Sequence, residues 1–259
     1  NMRCDYCFYC DEMENRSQKT FGFMSEETLR NVIRRTMPHA THQITYAFQG
    51  GEPTLRGMEF FREAIRLEQQ YNQNHLQVHN VLQTNGLGLN AQWCQFFKEN
   101  NFLIGVSVDG NEALHDCYRH QSNGASTYAR IVENIALLDR FDVQYNILTV
   151  VTERLAHHAK EVYESYKQKG WHYQQYIECL DPLNDGETPS VYSLQPRSYG
   201  HFLSELFDLW YADLQRGTQP YIRQFENYIS ILMGMPPEAC SQRGICGMQL
   251  VVEADGSVY

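Results

Sequence analysis

A strand-like run followed by a helix-like run recurs at least five times between residues 25 and 180, and this alternation restricts the chain to few architectures. Ser25 with Glu26 and Glu27 opens a helix with a cap and early acids; Leu29, Val32 and Ile33 carry its apolar side, and Pro38 ends it. "QITYAFQ" (43–49) reads as a strand stopped by Gly50 and Gly51, and Phe60, Phe61, Ala64, Ile65 and Leu67 mark one side of the next helix. Then come "LQVHNVLQ" before Asn85 and Gly86, a helix around Trp93–Lys98, "FLIGVSVDG", a helix over 128–139, "VQYNILTVV", a helix over 156–169, and "YQQYIECL". Such alternation implies parallel strands joined by right-handed crossovers. The expected fold class is α/β, an open or closed barrel with its chemistry on the loops after strand ends.

The rhythm breaks after Leu180. "DPLNDGETPS" is rich in turn formers, residues 198–216 and 221–233 have helical patterns, and "GMQLVVEADGSVY" has the shape of a hairpin turning at Asp255 and Gly256, so a boundary is placed near residue 185. A formal charge of −10 argues against a nucleic-acid partner, which needs a basic face. No apolar run is long enough to cross a bilayer and no secretion signal is visible, so a cytoplasmic protein acting on a peptide or small molecule is expected. The even count of eight cysteines raises a disulfide framework, but a chain of 259 residues with ample apolar content fits reduced thiols better, some of them binding metal.

Three of those thiols, Cys4, Cys7 and Cys10, fall within "NMRCDYCFYC". A bacterial ferredoxin run needs a fourth cysteine where Glu14 stands, and a zinc knuckle needs a second pair nearer than Cys240 and Cys246. "CDYCF" together with "FQGGEPTL" (48–55), "QTNG", "VSVDG", "HDCYR" and "YIECLDPL" resembles the radical SAM family. That family carries Cys-x3-Cys-x2-Cys followed by an aromatic residue, then Gly-Gly-Glu-Pro. With "FGFM" and "FDLWYADL" added, the chain resembles throughout its length the subgroup of anaerobic sulfatase-maturating enzymes.

The resemblance implies a partial (β/α)6 radical SAM barrel over residues 1–185, a helical connection over 186–239 that completes the core, and the start of a SPASM auxiliary-cluster domain over 240–259. It makes Cys4 and Cys7 two of the three ligands of a [4Fe-4S] cluster that binds S-adenosyl-L-methionine (SAM), with the third expected ahead of Asn1. Three thiolates leave one iron open, as a catalytic metal centre requires. By the same resemblance Tyr6 touches SAM, Gly51 lets the backbone approach its amino group, Ser107 and Arg119 reach its ribose and carboxylate, and Leu180 contacts the adenine through its main chain. Tyr9 and Gln49 resemble residues that face the target side chain of a peptide. Cys240 and Cys246 would bind an auxiliary [4Fe-4S] cluster, and the family's general-base aspartate is expected beyond Tyr259.

Each assignment has a plainer reading beside it: packing for Tyr6 and Tyr9, a strand-end turn for Ser107, a rim residue for Gln49, a solvated helix end for Arg119, and a local disulfide for Cys240 with Cys246. Cys10, Cys94, Cys117 and Cys179 read as packed or partly exposed thiols. The implied activity is oxidation of a cysteine or serine of a sulfatase to Cα-formylglycine, with a reductant such as ferredoxin or flavodoxin feeding the SAM-bound cluster and the auxiliary clusters taking a second electron. Two alternatives stay open: another SPASM peptide modifier that forms thioethers or crosslinks, and a non-catalytic iron-sulfur or metal-binding module.

Overall fold

A computed structural model describes residues 1–183, 190–245, 247 and 249–259. Six strands form one parallel sheet in the spatial order β2, β3, β4, β6, β7, β8: β2 (Gln43–Phe48), β3 (Gln77–Thr84), β4 (Leu103–Ser107), β6 (Gln144–Val151), β7 (Tyr173–Glu178) and β8 (Tyr221–Ile222). Two three-residue strands, β1 (Met2–Cys4) and β5 (Arg119–Gln121), pair antiparallel apart from it, with Cys4 opposite Arg119. The helices are α1 (Phe8–Asn15), α2 (Glu26–Thr36), α3 (Met58–Tyr71), α4 (Ala91–Glu99), α5 (Glu112–Tyr118), α6 (Tyr128–Arg140), α7 (Glu153–Ala156), α8 (Ala159–Gln168), α9 (Pro196–Leu214) and α10 (Arg223–Leu232).

Local chemistry sets the helix starts. Ser25 Oγ accepts from the Thr28 amide at 3.0 Å, Asn90 Oδ1 from the amides of Gln92 and Trp93, and Asn111 Oδ1 from that of Leu114, each satisfying a donor the helix itself cannot. In α2 the acids Glu26 and Glu27 sit in the first turn and Arg34 and Arg35 in the last, complementing the helix dipole.

Parallel strands buried on both faces read as continuous apolar runs, whereas these alternate. Ile44, Tyr46 and Phe48 of β2, Leu82 of β3, Ile104 and Val106 of β4, Ile147 and Val151 of β6 and Tyr176 of β7 belong to, or pack against, one hydrophobic core that also holds Phe61, Trp93, Ile131 and Val162 from the helices. By register, the opposite face carries Thr45 and Gln49, His79 and Gln83, Gly105 and Ser107, Asn146, and Gln175, and most of these are exposed or half-buried. The chain therefore folds as the expected partial barrel: an apolar outer layer under helices and an inner face on which those polar residues mix with Ala47, Val81, Leu148, Val150 and Ile177.

Phe202, Leu206 and Trp210 of α9 and Phe225 of α10 join that same core, so the segment after the break is packed onto the sheet. Asp213 of α9 fastens it further, accepting from Tyr163 at 2.8 Å and Lys167 at 2.5 Å. Under α3, Glu68 Oε2 accepts from Asn80 Nδ2 at 2.9 Å, while Glu68 Oε1 and Asn80 Oδ1 are buried with no partner.

Three expectations need correction. The helix over 156–169 is two pieces, α7 and α8, because Thr152 caps a separate short turn by accepting from the Leu155 amide. The helix over 221–233 begins only at Arg223, since Tyr221 and Ile222 pair with β7 as an edge strand. Helix α1 was not anticipated and has no buried residue. The hairpin is present in short form, with Val251 and Tyr259 exchanging backbone hydrogen bonds at 3.0 and 2.9 Å around a turn at Gly256, φ 94°. The boundary near residue 185 lies outside the described residues.

Candidate functional site

The segment after β1 crosses the carboxyl ends of several strands. At β2, Gly50 and Gly51 adopt φ of 97° and 50°, left-handed values that L side chains avoid; a Cβ on Gly51 would point into open space, and one on Gly50 would lie 3.9 Å from the Tyr9 ring. Glu52 then turns inward. Its buried carboxylate accepts from the Thr54 amide (3.1 Å) and hydroxyl (2.6 Å), the Thr84 hydroxyl (2.8 Å) and the Asn85 amide (2.7 Å). One carboxylate thus ties the glycine turn to the end of β3, and Asn85 Nδ2 in turn donates to Asn1 Oδ1 at 2.9 Å.

At the end of β4, buried Asp109 gathers the rest. Its Oδ1 accepts from the Val150 amide on β6 at 2.9 Å; its Oδ2 accepts from Arg119 Nε at 2.8 Å and from the Tyr6 hydroxyl in a short hydrogen bond. Arg119 lies 5.4 Å over the Tyr6 ring and points Nη1 at Cys4 Sγ, 3.7 Å away. Burial opposes the Arg119 charge, but Asp109, Tyr6 and Cys4 together more than offset it and hold the guanidinium protonated, its pKa well above the usual value. Burial pushes the Cys4 thiol up, an effect Arg119 partly reverses, and burial likewise pushes the Tyr6 hydroxyl well up.

Behind them, His115 Nδ1 accepts from the Asp109 amide at 3.2 Å, which assigns the ring proton to Nε2, 3.1 Å from Thr127 Oγ1. Thr127 in turn donates to the Arg119 carbonyl at 2.9 Å. Burial lowers the His115 pKa to about 4, so the ring is neutral at pH 7 and works as a fixed spacer under the pair.

Most of the expected residues meet on this rim. Cys4, Tyr6, Cys7 and Tyr9 lie on the crossing segment, Gln49 and Gly51 on the β2 turn, buried Ser107 at the end of β4, and exposed Leu180 past β7. Asp11 Oδ2 accepts from the Leu183 amide at 2.7 Å, joining α1 to the loop that holds Leu180. The plainer reading of Arg119 as a solvated helix end is wrong: it is 6% exposed and fully engaged. Cys94 and Cys179 are buried thiols, Cys117 is half-buried and Cys10 exposed. Cys240 is exposed in a short 3-10 turn, and Cys246 lies outside the described residues. Asp109, Glu52, His115 and Asp11 were not singled out from sequence; "VSVDG" and "GGEP" contained the first two, but nothing in either string says which neighbours they hold.

The donor chemistry fits a thiolate-bound iron centre. Cys4 and Cys7 offer two soft sulfur donors, and among the described residues no set of three His, Cys, Asp or Glu competes as a harder metal site. The Gly50–Gly51 turn fits a ligand that must approach the backbone closely.

Residues 1–181 match the model of the radical SAM superfamily. The whole chain is 44% identical to a cysteine-type anaerobic sulfatase-maturating enzyme of Clostridium novyi, covering 69% of that protein, and 39% identical to one of Clostridium perfringens, covering 70%. It is 30% identical to a serine-type enzyme of Bacteroides thetaiotaomicron, covering 66% of it. Among solved structures, native anSMEcpe with bound AdoMet superposes with a TM-score of 0.93 at 40% identity, over all of this chain and 70% of that one.

Proposed function

The chain belongs to the radical SAM superfamily and within it to the anaerobic sulfatase-maturating enzymes, and from that premise we propose that it oxidises a cysteine of a sulfatase polypeptide to Cα-formylglycine. The observation that carries this reading is the rim itself: one segment, residues 4–11, touches the ends of β2, β4 and β7 and brings two thiols, a glycine turn and a buried cation together. Cysteine is preferred to serine as the target because identity is higher to the cysteine-type relatives, 44% and 39%, than to the serine-type, 30%.

In this reading Cys4 and Cys7 hold the [4Fe-4S] cluster, and Tyr6, Gly51, Ser107, Arg119 and Leu180 line the place of SAM. Bound together, cluster and SAM supply a carbon radical able to take hydrogen from an unactivated carbon. The chain's own work is placement. Glu52 fixes the glycine turn by four hydrogen bonds, Asp109 fixes Tyr6 and Arg119, and Asp11 fixes the loop carrying Leu180. The inner face suits an extended polypeptide, because Gln49, Gln83 and Asn146 offer partners to backbone groups that must stay hydrogen-bonded when water is excluded. Tyr9, beside Gly50, and Gln49 stand where the target side chain would enter. In the same reading Cys240 and Cys246 serve an auxiliary [4Fe-4S] cluster, residues 1–185, 186–239 and 240–259 are the core barrel, a helical connection and the start of the auxiliary-cluster domain, and a cytoplasmic ferredoxin or flavodoxin supplies the electron.

The test is direct. Cluster-reconstituted full-length protein given reductant, SAM and a peptide bearing Cys-x-Pro-x-Arg should yield 5′-deoxyadenosine and a formylglycine product by mass spectrometry. A thioether crosslink in place of formylglycine would make the chain a different peptide modifier, and absence of 5′-deoxyadenosine would end the enzymatic reading.

A further inference from the structure

We propose that Arg119 is a hydrogen-bond donor to the sulfur of Cys4 that raises the reduction potential of the iron-sulfur cluster Cys4 would hold, and that Asp109 is the residue that positions it. The proposal rests on the reading of Cys4 as a cluster ligand and assigns Arg119 a task beyond contact with SAM.

Geometry restricts what this guanidinium can do. Its side chain is 8% exposed, its Nε is spent on Asp109 at 2.8 Å, and one face rests on the Tyr6 ring. Nη1 already points at Cys4 Sγ at 3.7 Å, an ordinary N–H to sulfur separation. The backbone enforces this independently: Cys4 and Arg119 are directly opposed in the antiparallel β1–β5 pair, so the two side chains leave the same small sheet side by side.

Arg119 gives Nε to the Asp109 carboxylate and Nη1 to the Cys4 sulfur, and the carboxylate is anchored to β6 by the Val150 amide. Asp109, Arg119 and Cys4 therefore form an ordered series, negative, positive, thiolate, with the positive end of the buried pair turned toward the sulfur. A donor and a positive charge at a ligating sulfur draw electron density from it and favour the reduced, more negative cluster, as second-shell hydrogen bonds do at metal centres generally. His115 and Thr127 brace the Arg119 backbone from behind, which keeps the donor from drifting.

The test is an EPR-monitored redox titration of the reconstituted cluster without SAM, so that SAM affinity does not enter, comparing wild type with R119M and R119K. R119M should shift the midpoint to more negative potential by an amount equal to about a tenfold change in the reduced-to-oxidised ratio, about 59 mV for one electron. R119K keeps the charge, but its single ammonium cannot serve Asp109 and Cys4 in one planar fork, so it should fall between. Iron content near wild type in R119K shows that the fold persists.

An unchanged midpoint in R119M with weakened SAM binding would overturn the proposal, leaving Arg119 only its SAM contact. Loss of the cluster from both variants would also overturn it, making Arg119 a structural residue. All three proteins are the full-length protein; if wild type itself binds no SAM-responsive cluster, the functional reading fails instead, and that result is seen before any variant is compared.

Discussion

The chain has two thiol-bearing regions, and they are built in opposite ways. Around Cys4 and Cys7, buried side chains are held in place: Glu52 by four hydrogen bonds, Asp109 by three, and Arg119 by Asp109 with its Nη1 toward the Cys4 sulfur. Around Cys240 the thiol is exposed on a three-residue turn, and among the described residues its surroundings are tied by Arg243 Nε donating to the Pro237 carbonyl at 2.7 Å, Asn227 Nδ2 to Gln242 at 2.5 Å and the Glu238 amide to Asn227 Oδ1 at 2.7 Å. The first region is held in place by the α/β core. The contrast assigns their energetics differently, since a preformed site spends little on ordering when its ligand binds and a loose one spends more.

The largest effect expected from this contrast is at the ligands. C4A or C7A should drop SAM cleavage to background, while C240A should keep SAM cleavage with loss of formylglycine; 5′-deoxyadenosine and product are counted in the same assay. Equal losses of 5′-deoxyadenosine in both regions would break the distinction.

Next comes the frame of the first region. E52A strands buried donors on Thr84 and Asn85 and should lower stability by about 3 kcal/mol, measured by denaturant unfolding. C240S should change stability little, because the thiol is exposed.

A pH effect of similar size separates the regions further. His115 has a folded pKa near 4, below its ordinary 6.5, so the unfolded chain takes up the proton first. The stability gained from the neutral ring is complete above pH 6.5 and is lost as pH falls toward 4, about 3 kcal/mol in all. Hydrogen exchange followed over that range should show protection lost around Asp109 and Thr127 as part of global unfolding. H115N should flatten the slope.

The smallest effect concerns the helical layer and has the opposite sign. Burial raises the Glu68 pKa to about 7, so its contribution is present below pH 4.5 and is lost as pH rises through 7. A proton on Glu68 Oε1 would also serve the orphaned Asn80 Oδ1. E68Q, which carries permanent donors, should gain about 2 kcal/mol at pH 8, with the gain shrinking toward pH 5. No gain at pH 8 would show that water, not a proton, satisfies the pair.

Much of the outer layer was legible in sequence, because Ile44, Tyr46 and Phe48 alternate with other residues along β2 and Ser25 announces its helix. Helix α1 was not, since it buries no residue and so carries no apolar period. The β1–β5 pair and β8 are two or three residues long, too short for any pattern. In the site, Cys4, Cys7 and Gly51 were visible as motifs. The roles of Asp109 and Glu52 were not, because they exist only through partners 103, 10 and 32 residues away in sequence. Arg119 looked solvated for the same reason: its acid and its sulfur come from other elements.

The ties that complete the crossing segment also order events during synthesis. Cys4 and Cys7 leave the ribosome well before Arg119, Asp109 or Leu183, so the earliest thiols acquire their surroundings only after most of the sheet has been translated. On the reading of Cys4 and Cys7 as cluster ligands, iron-sulfur delivery to this loop follows translation of most of the sheet, and until then Cys4 lacks the Arg119 partner it has in the fold.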